Sequence, residues 1–125
     1  MIDIDRFKAL NDRHGHAVGD DVLRAVAGAI VAAVRDDDVP ARYGGEEFVV
    51  LLRNPASGVS VDVGERVRSA VRALDLSEYG VGEVSVSVGV AVAAHPGERI
   101  GDLIVAADRA LYRAKRAGRD RVVAA

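Results

Sequence analysis

Val39-Pro40-Ala41-Arg42-Tyr43-Gly44-Gly45-Glu46-Glu47-Phe48-Val49-Val50-Leu51-Leu52 is the stretch on which the fold turns. Val39 to Tyr43 can run extended, and Phe48 to Leu52 is an apolar run of strand-like composition. A Gly-Gly pair between two such runs reads as a hairpin turn, because glycine supplies the positive φ that tight hairpins need. Two carboxylates, Glu46 and Glu47, follow at once. Like charges side by side repel. They are either solvated or compensated by a cation, and Mg²⁺ takes one or two carboxylates together with substrate phosphates. In a strand the two side chains face opposite sides, which leaves their division of labour open.

Outward from the hairpin, the chain alternates helical and strand patterns. Met1 to Ile4 is a strand stub, and Arg6 to Leu10 one helical turn. Asn11 to Gly19 has the punctuation of a loop and holds His14 and His16. A helix is predicted from Asp20, with Val22, Leu23, Val26, Ala27, Ile30, Val31 and Val34 on one face and Asp20 or Asp21 as its cap. Arg35 lies near its end, and Asp36-Asp37-Asp38 breaks the pattern. Beyond the hairpin, Asn54 to Gly58 is a loop. A second helix follows with Val59, Val63, Val67, Ala70, Val71 and Leu74 on one side, Ser60 as cap, and Gly64 weakening it. Val84, Val86, Val88, Val90 and Val92 alternate with Ser85, Ser87, Gly89 and Ala91, a strand whose small residues invite close helix packing. After the turn at His95-Pro96-Gly97, Asp102 is placed to cap a third helix that Gly118 stops. Arg121 to Ala124 is a last, peripheral strand.

That order predicts one α/β domain: a mixed or antiparallel sheet with packed helices, related to the ferredoxin-like βαββαβ arrangement. The bulk properties narrow its role. The chain has 125 residues, half of them hydrophobic, so it can bury a core of Val, Ala and Leu. Its formal charge of −2 gives no global basic field for nucleic acid, and an RNA-binding sheet would need more aromatics than Tyr43 and Phe48. With no cysteine there are no disulfides and no thiolate metal sites. No apolar run approaches a membrane span and no signal peptide is evident, so a cytoplasmic setting is expected.

In a βαββαβ layout the first strand lies beside the hairpin in the middle of the sheet. Asp3 can then approach Glu46, with the Ile4 carbonyl as a third hard oxygen, a set suited to Mg²⁺ or Mn²⁺ and not to zinc. The backbone N–H groups after the strand, at Arg6, Phe7 and Lys8, can cradle an anion. Lys115 and Arg119, four residues apart on a predicted helix, can hold a terminal phosphate or simply complement the helix dipole. Asn11 and Asp20 have the acceptors that guanine's paired N–H donors require. Taken singly, an Asx turn for Asn11 and a helix cap for Asp20 are the commoner uses of such residues. His14, His16 and His95 are read as turn residues, not a metal cluster.

Together these residues resemble a known family. Asp3-Ile4-Asp5-Arg6-Phe7-Lys8, Asn11-Asp12, Gly15-His16, Gly19-Asp20, Arg42 to Phe48, Ser87-Val88-Gly89, Ala107 to Lys115 and Gly118-Arg119 follow the order and spacing of the diguanylate cyclase (GGDEF) domains. The resemblance implies a nucleotidyl-cyclase-like fold and the condensation of two GTP molecules to cyclic di-GMP with release of pyrophosphate. Carried over by position, Asp3, the Ile4 carbonyl, Glu46 and Glu47 would hold Mg²⁺ (or Mn²⁺), and Glu46 or Glu47, or metal-bound solvent, would assist removal of the ribose 3′-proton. Asn11 and Asp20 would read guanine; the Phe7 and Lys8 backbone with Lys115 and Arg119 would hold the triphosphate. A symmetric product built from two nucleotides implies a homodimer. Arg35-Asp36-Asp37-Asp38 matches the family's inhibitory Arg-x-x-Asp site, with Arg35 and Asp38 on the product's guanines and Arg66 as a further contact.

Family members carry a helical segment with an Asp-x-Leu-Thr-Gly-Leu-type motif and a longer first strand ahead of the position of Asp3. Residues 1–125 are therefore expected to be a single domain lacking that helix and part of the strand, with a sensor or dimerisation domain preceding it. The alternative function is a GGDEF-type receptor that binds GTP or cyclic di-GMP without turnover.

Overall fold

A computed structural model of the chain describes residues 1–53 and 58–125. Of the loop expected over Asn54 to Gly58, residues 54–57 lie outside them. The elements run β1 (Ile2–Ile4), α1 (Phe7–His14), α2 (His16–Ala33), β2 (Val39–Arg42), β3 (Glu47–Leu51), α3 (Val59–Arg72), a 3₁₀ turn (Ser77–Tyr79), β4 (Val86–Val90), α4 (Ile100–Arg116) and β5 (Val122–Ala124). The sheet order is β2-β3-β1-β4-β5, antiparallel except for the parallel β4–β5 pair. This is the expected α/β arrangement, with the stub β1 at its centre. Among the described residues no helix is long and apolar enough to cross a membrane.

Period-2 alternation divides the sheet between two cores. Ile2, Ile4, Phe48, Val86 and Val88 face one way and pack with Val22, Val26 and Ile30 of α2 and Val63, Val67 and Val71 of α3. Met1 on the other face packs with Ala107 and Leu111 of α4. Close approach there depends on Gly89: a Cβ at that position would meet the Ala107 carbonyl, the Leu111 amide and, at 2.9 Å, the Leu111 Cα. The small residues of β4 thus do what their alternation predicts. The Met1 amine donates to the Gly89 carbonyl at 2.9 Å, and burial pushes its pKa down to about 6. Past Met1, β3 and β4 flank a cavity of ≈ 400 Å³ lined by Val50, Val90 and Ile104 among others.

Several local expectations change. Asn11 to Gly19 is helical, not loop, with the single break at Gly15 (φ 87°). One glycine suffices, because it reverses the chain while its N–H closes α1 on the Asn11 carbonyl at 2.8 Å. His14 and His16 therefore sit at helix ends, and Asp20 and Asp21 lie inside α2, too far in to cap it. Ser60 and Asp102 are also inside their helices. Gly58 and Arg99 occupy the caps, Ser60 is buried, and Asp102 accepts from Arg99 Nε. β4 is shorter than the valine alternation that predicts it.

The hairpin forms, but neither Gly44 nor Gly45 takes a positive φ. Arg42 pairs with Phe48, so the bend is spread over the residues between them. The amides of Tyr43 and Gly44 donate to the Glu47 carbonyl, and the Arg42 guanidinium binds the carbonyls of Gly44 and Gly45. Such a wide bend has no need of a left-handed pair. What Gly44 supplies is room, since a Cβ there would lie 3.1 Å from Glu47 Oε2.

Candidate active site

The end of β1 meets the hairpin as the topology requires. Asp3 is the cross-strand partner of both Glu47 and Ser87, and the Ile4 N–H donates to the Glu46 carbonyl at 3.2 Å. The Ile4 carbonyl stands at the end of β1 beside this pair. Asp3 is 5 % exposed and its carboxylate pairs with Lys115 Nζ at 2.7 Å. Burial raises the Asp3 pKa, and the Lys115 hydrogen bond and charge pull it back. Glu46 is raised by burial first, then by the Asp3 carboxylate, against the pull of Lys115. Two acids and one lysine thus share a partly buried pocket short of positive charge.

No three His, Asp or Glu side chains among the described residues are gathered tightly enough to hold a metal ion alone. The donor set nevertheless fits one that arrives with a phosphorylated ligand: the buried Asp3 carboxylate, the Glu46 carboxylate close by, and the Ile4 backbone carbonyl. Mg²⁺ needs no all-protein cage, because it commonly keeps one or two carboxylates and completes its shell with phosphate and water.

The other expected residues are placed around this centre. Phe7 and Lys8 open α1, where the first N–H groups have no acceptor within the helix. Phe7 itself is buried in the core, so only its backbone is available. Arg119 is not on a helix with Lys115, because α4 ends at Arg116. Gly118 (φ 116°), Arg119 (φ 63°) and Asp120 (φ 46°) form a left-handed turn beyond it. Arg119 still lies near enough for its charge to lower the Asp3 pKa.

Asn11 and Asp20 come from different helices, and α1 brings Asn11 against Gly19. The Asn11 Oδ1 is buried without a hydrogen-bond partner, a costly state that a ligand donor would relieve. Asp20 lines a cavity of ≈ 470 Å³ with Leu23, Arg24, Ala27, Arg42 and Phe48 among others. Sequence reasoning missed the apolar walls Leu23 and Phe48, since each also reads as plain core.

Arg35, Asp38 and Arg66 gather at the end of α2. The Asp38 carboxylate is buried and accepts the backbone N–H groups of Arg35 (3.1 Å) and Arg53 (3.2 Å). Arg66 Nε donates to the Ala33 carbonyl at 2.6 Å. Asp38 therefore holds the turn that presents Arg35, a role the spacing alone does not reveal.

Asp5 was also missed. Its carboxylate accepts the hydroxyls of Ser85 (2.6 Å) and Ser87 (2.7 Å) and the Asp120 amide (3.0 Å). Part of the signal was present: Asp5 follows Asp3 by two residues just past β1, and Ser85 and Ser87 stand two apart where β4 begins.

The family model described as "Diguanylate cyclase, GGDEF domain" matches residues 1–121. Diguanylate cyclase A of Treponema denticola is 43 % identical over 123 residues, covering 98 % of this chain and 33 % of that protein. The coiled coil and GGDEF domain of DgcB from Caulobacter crescentus, solved in complex with c-di-GMP, superposes with a TM-score of 0.88 at 38 % identity, covering 99 % of this chain and 66 % of that one. The active GGEEF domain of a diguanylate cyclase from Vibrio cholerae gives 0.90 at 34 %, covering 98 % and 78 %. The chain spans between 18 % and 34 % of the length of the curated relatives compared with it.

Proposed function

Because the chain belongs to the diguanylate cyclase, GGDEF domain, family, we propose that it condenses two GTP molecules to cyclic di-GMP and pyrophosphate. The observation that carries this is the convergence of Asp3, Glu46 and Lys115 where β1 meets the hairpin. Asn11 and Asp20 receive guanine, with Leu23 and Phe48 against its ring. The Phe7 and Lys8 amides, Lys115 and Arg119 hold the triphosphate, so that charge growing on the departing pyrophosphate meets fixed cations. Asp3, the Ile4 carbonyl and Glu46, with Glu47 alongside, would hold Mg²⁺ or Mn²⁺, which supplies charge neutralisation at the phosphates. Glu46 or Glu47 accepts the 3′-proton.

Each chain has one guanine reader and one acidic centre, while the product joins two nucleotides. Two chains therefore act face to face, each offering its GTP to the other, and residues ahead of Met1 in a longer protein would govern their meeting. Arg35, Asp38 and Arg66 form a product-inhibition site in which Arg35 makes the exposed contact. GTP supply places the reaction in the cytoplasm.

The test is incubation of purified protein with GTP and Mg²⁺, with nucleotides resolved by chromatography, for wild type and Glu47→Gln. Cyclic di-GMP from the wild type and its loss in the variant are expected. GTP bound tightly without product would instead identify a receptor.

A further inference from the structure

Arg119, Lys115's proposed partner on the triphosphate, stands in a left-handed turn of non-glycine residues, and something must hold it there. Positive φ at Arg119 and Asp120 is strained for side chains of ordinary size and persists only when the surroundings over-determine it. Three sets of contacts do so. The Arg119 amide donates to the Ala114 carbonyl at 3.0 Å, closing the end of α4. From below, Arg68 Nη1 of α3 pairs with Asp120 Oδ1 at 2.9 Å, and Arg72 Nε lies 3.7 Å from Asp120 Oδ2. From the sheet, Asp5 Oδ2 takes the Asp120 amide at 3.0 Å.

Asp5 is itself fixed. Both its oxygens are engaged by serine hydroxyls of the neighbouring strand segment, and its own amide donates to the Ser85 carbonyl at 2.9 Å. It lies two residues from Asp3, just past the end of β1. β1 thus carries Asp3 of the acidic centre and leads directly into an acceptor fastened to the residue next to Arg119.

We propose that Asp5 is a positioning residue for phosphate binding: by holding the Asp120 amide it fixes the left-handed turn that aims Arg119 at the terminal phosphates of a nucleoside triphosphate. This rests on the GTP-binding reading given above. Asp5 touches neither ligand nor metal; it acts through the turn. The Arg68–Asp120 pair supports the same turn from α3 and backs up the same placement.

The experiment measures affinity by titration calorimetry with Mg²⁺, using an α,β-methylene analogue of GTP that cannot release pyrophosphate, and GMP as the probe that lacks terminal phosphates. Wild type, Asp5→Ala, Arg119→Ala and the double variant are compared on the full chain. A displaced charge-assisted phosphate contact weakens the triphosphate roughly tenfold. Asp5→Ala and Arg119→Ala are each expected to show that loss with GMP affinity unchanged, and the double variant to lose no more than Arg119→Ala. Asp5→Asn, which keeps one acceptor oxygen, is expected to recover most of the affinity. If Asp5→Ala fails to fold, Asp5→Asn and Arg68→Ala provide the same triphosphate-against-GMP comparison, and a selective loss in Arg68→Ala is expected. Triphosphate affinity unchanged in the folded variants, equal loss for both nucleotides, or additive losses in the double variant would overturn the positioning role. Failure of the wild type to bind the analogue, or indifference of the analogue to Arg119→Ala, would instead remove the GTP-binding reading itself.

Discussion

Gly89→Ala is the substitution that most directly tests how α4 is seated. The new methyl would meet backbone, not flexible side chain: the Ala107 carbonyl, the Leu111 amide and the Leu111 Cα at 2.9 Å, where ordinary contacts begin near 3.4 Å. The helix must therefore retreat by roughly 1 Å, and in a close-packed interior that gap is not refilled. The face it presents, Ala107, Ala110, Leu111 and Ala114, has little side chain to repack with. The expected cost is about 3 kcal/mol, the upper part of the overpacking range. For a domain of this size that lowers Tm by about 10 °C. The same retreat moves Lys115, one helical turn beyond Leu111, away from the 2.7 Å contact that neutralises Asp3. Urea unfolding followed by circular dichroism is the assay. Two glycines serve as controls. Gly64→Ala meets only Val122 and Val88 side-chain methyls, from 3.0 Å outward, and gains helix propensity, so it should lie within about 1 kcal/mol of wild type. Gly28→Ala meets nothing within 4 Å and should stabilise by about 0.5–1 kcal/mol. A Gly89→Ala protein as stable as wild type, with an unchanged denaturant slope, would refute the packing argument.

Gly19→Ala acts on the proposed guanine site instead. The added methyl collides with the tip of the Asn11 side chain, which can swing away, so stability should change by less than about 1 kcal/mol while GTP affinity drops about tenfold; thermal melts and calorimetry separate the two. Arg35→Ala should weaken cyclic di-GMP binding and spare GTP, because the Asp38 carboxylate still holds the turn through the backbone N–H groups of residues 35 and 53; unchanged product affinity would exclude Arg35 from the site. In the 125-residue chain the buried Met1 amine has a folded pKa of about 6 against 8.0 when free, so the folded state binds fewer protons than the unfolded between these values. Stability therefore falls as pH drops from 8 to 6, by about 2–3 kcal/mol in all. Acetylation of the amine should abolish that slope, and a slope that survives it would assign the effect to other groups.

The periodicities of the chain were enough to settle the class of fold. The valine alternation at β4, the apolar faces of α2, α3 and α4, and the paired runs around Gly44-Gly45 are each imposed by the geometry of one element. The acidic centre was legible too, because a βαββαβ order leaves the end of β1 nowhere to go but beside the hairpin. Features that depend on contacts between distant segments were not legible. Asn11 to Gly19 has loop chemistry by propensity, yet packing of α1 on α2 makes it helical around one glycine. Lys115 and Arg119 have helical spacing, yet α4 stops short and a left-handed turn delivers Arg119, held by Asp5 and Arg68 from two other elements. Local pattern fixes which conformations a segment prefers at a cost of tenths of a kcal/mol per residue. Burial and hydrogen bonds to residues far along the chain are each worth about one or more, and they decide where helices end and which side chains meet.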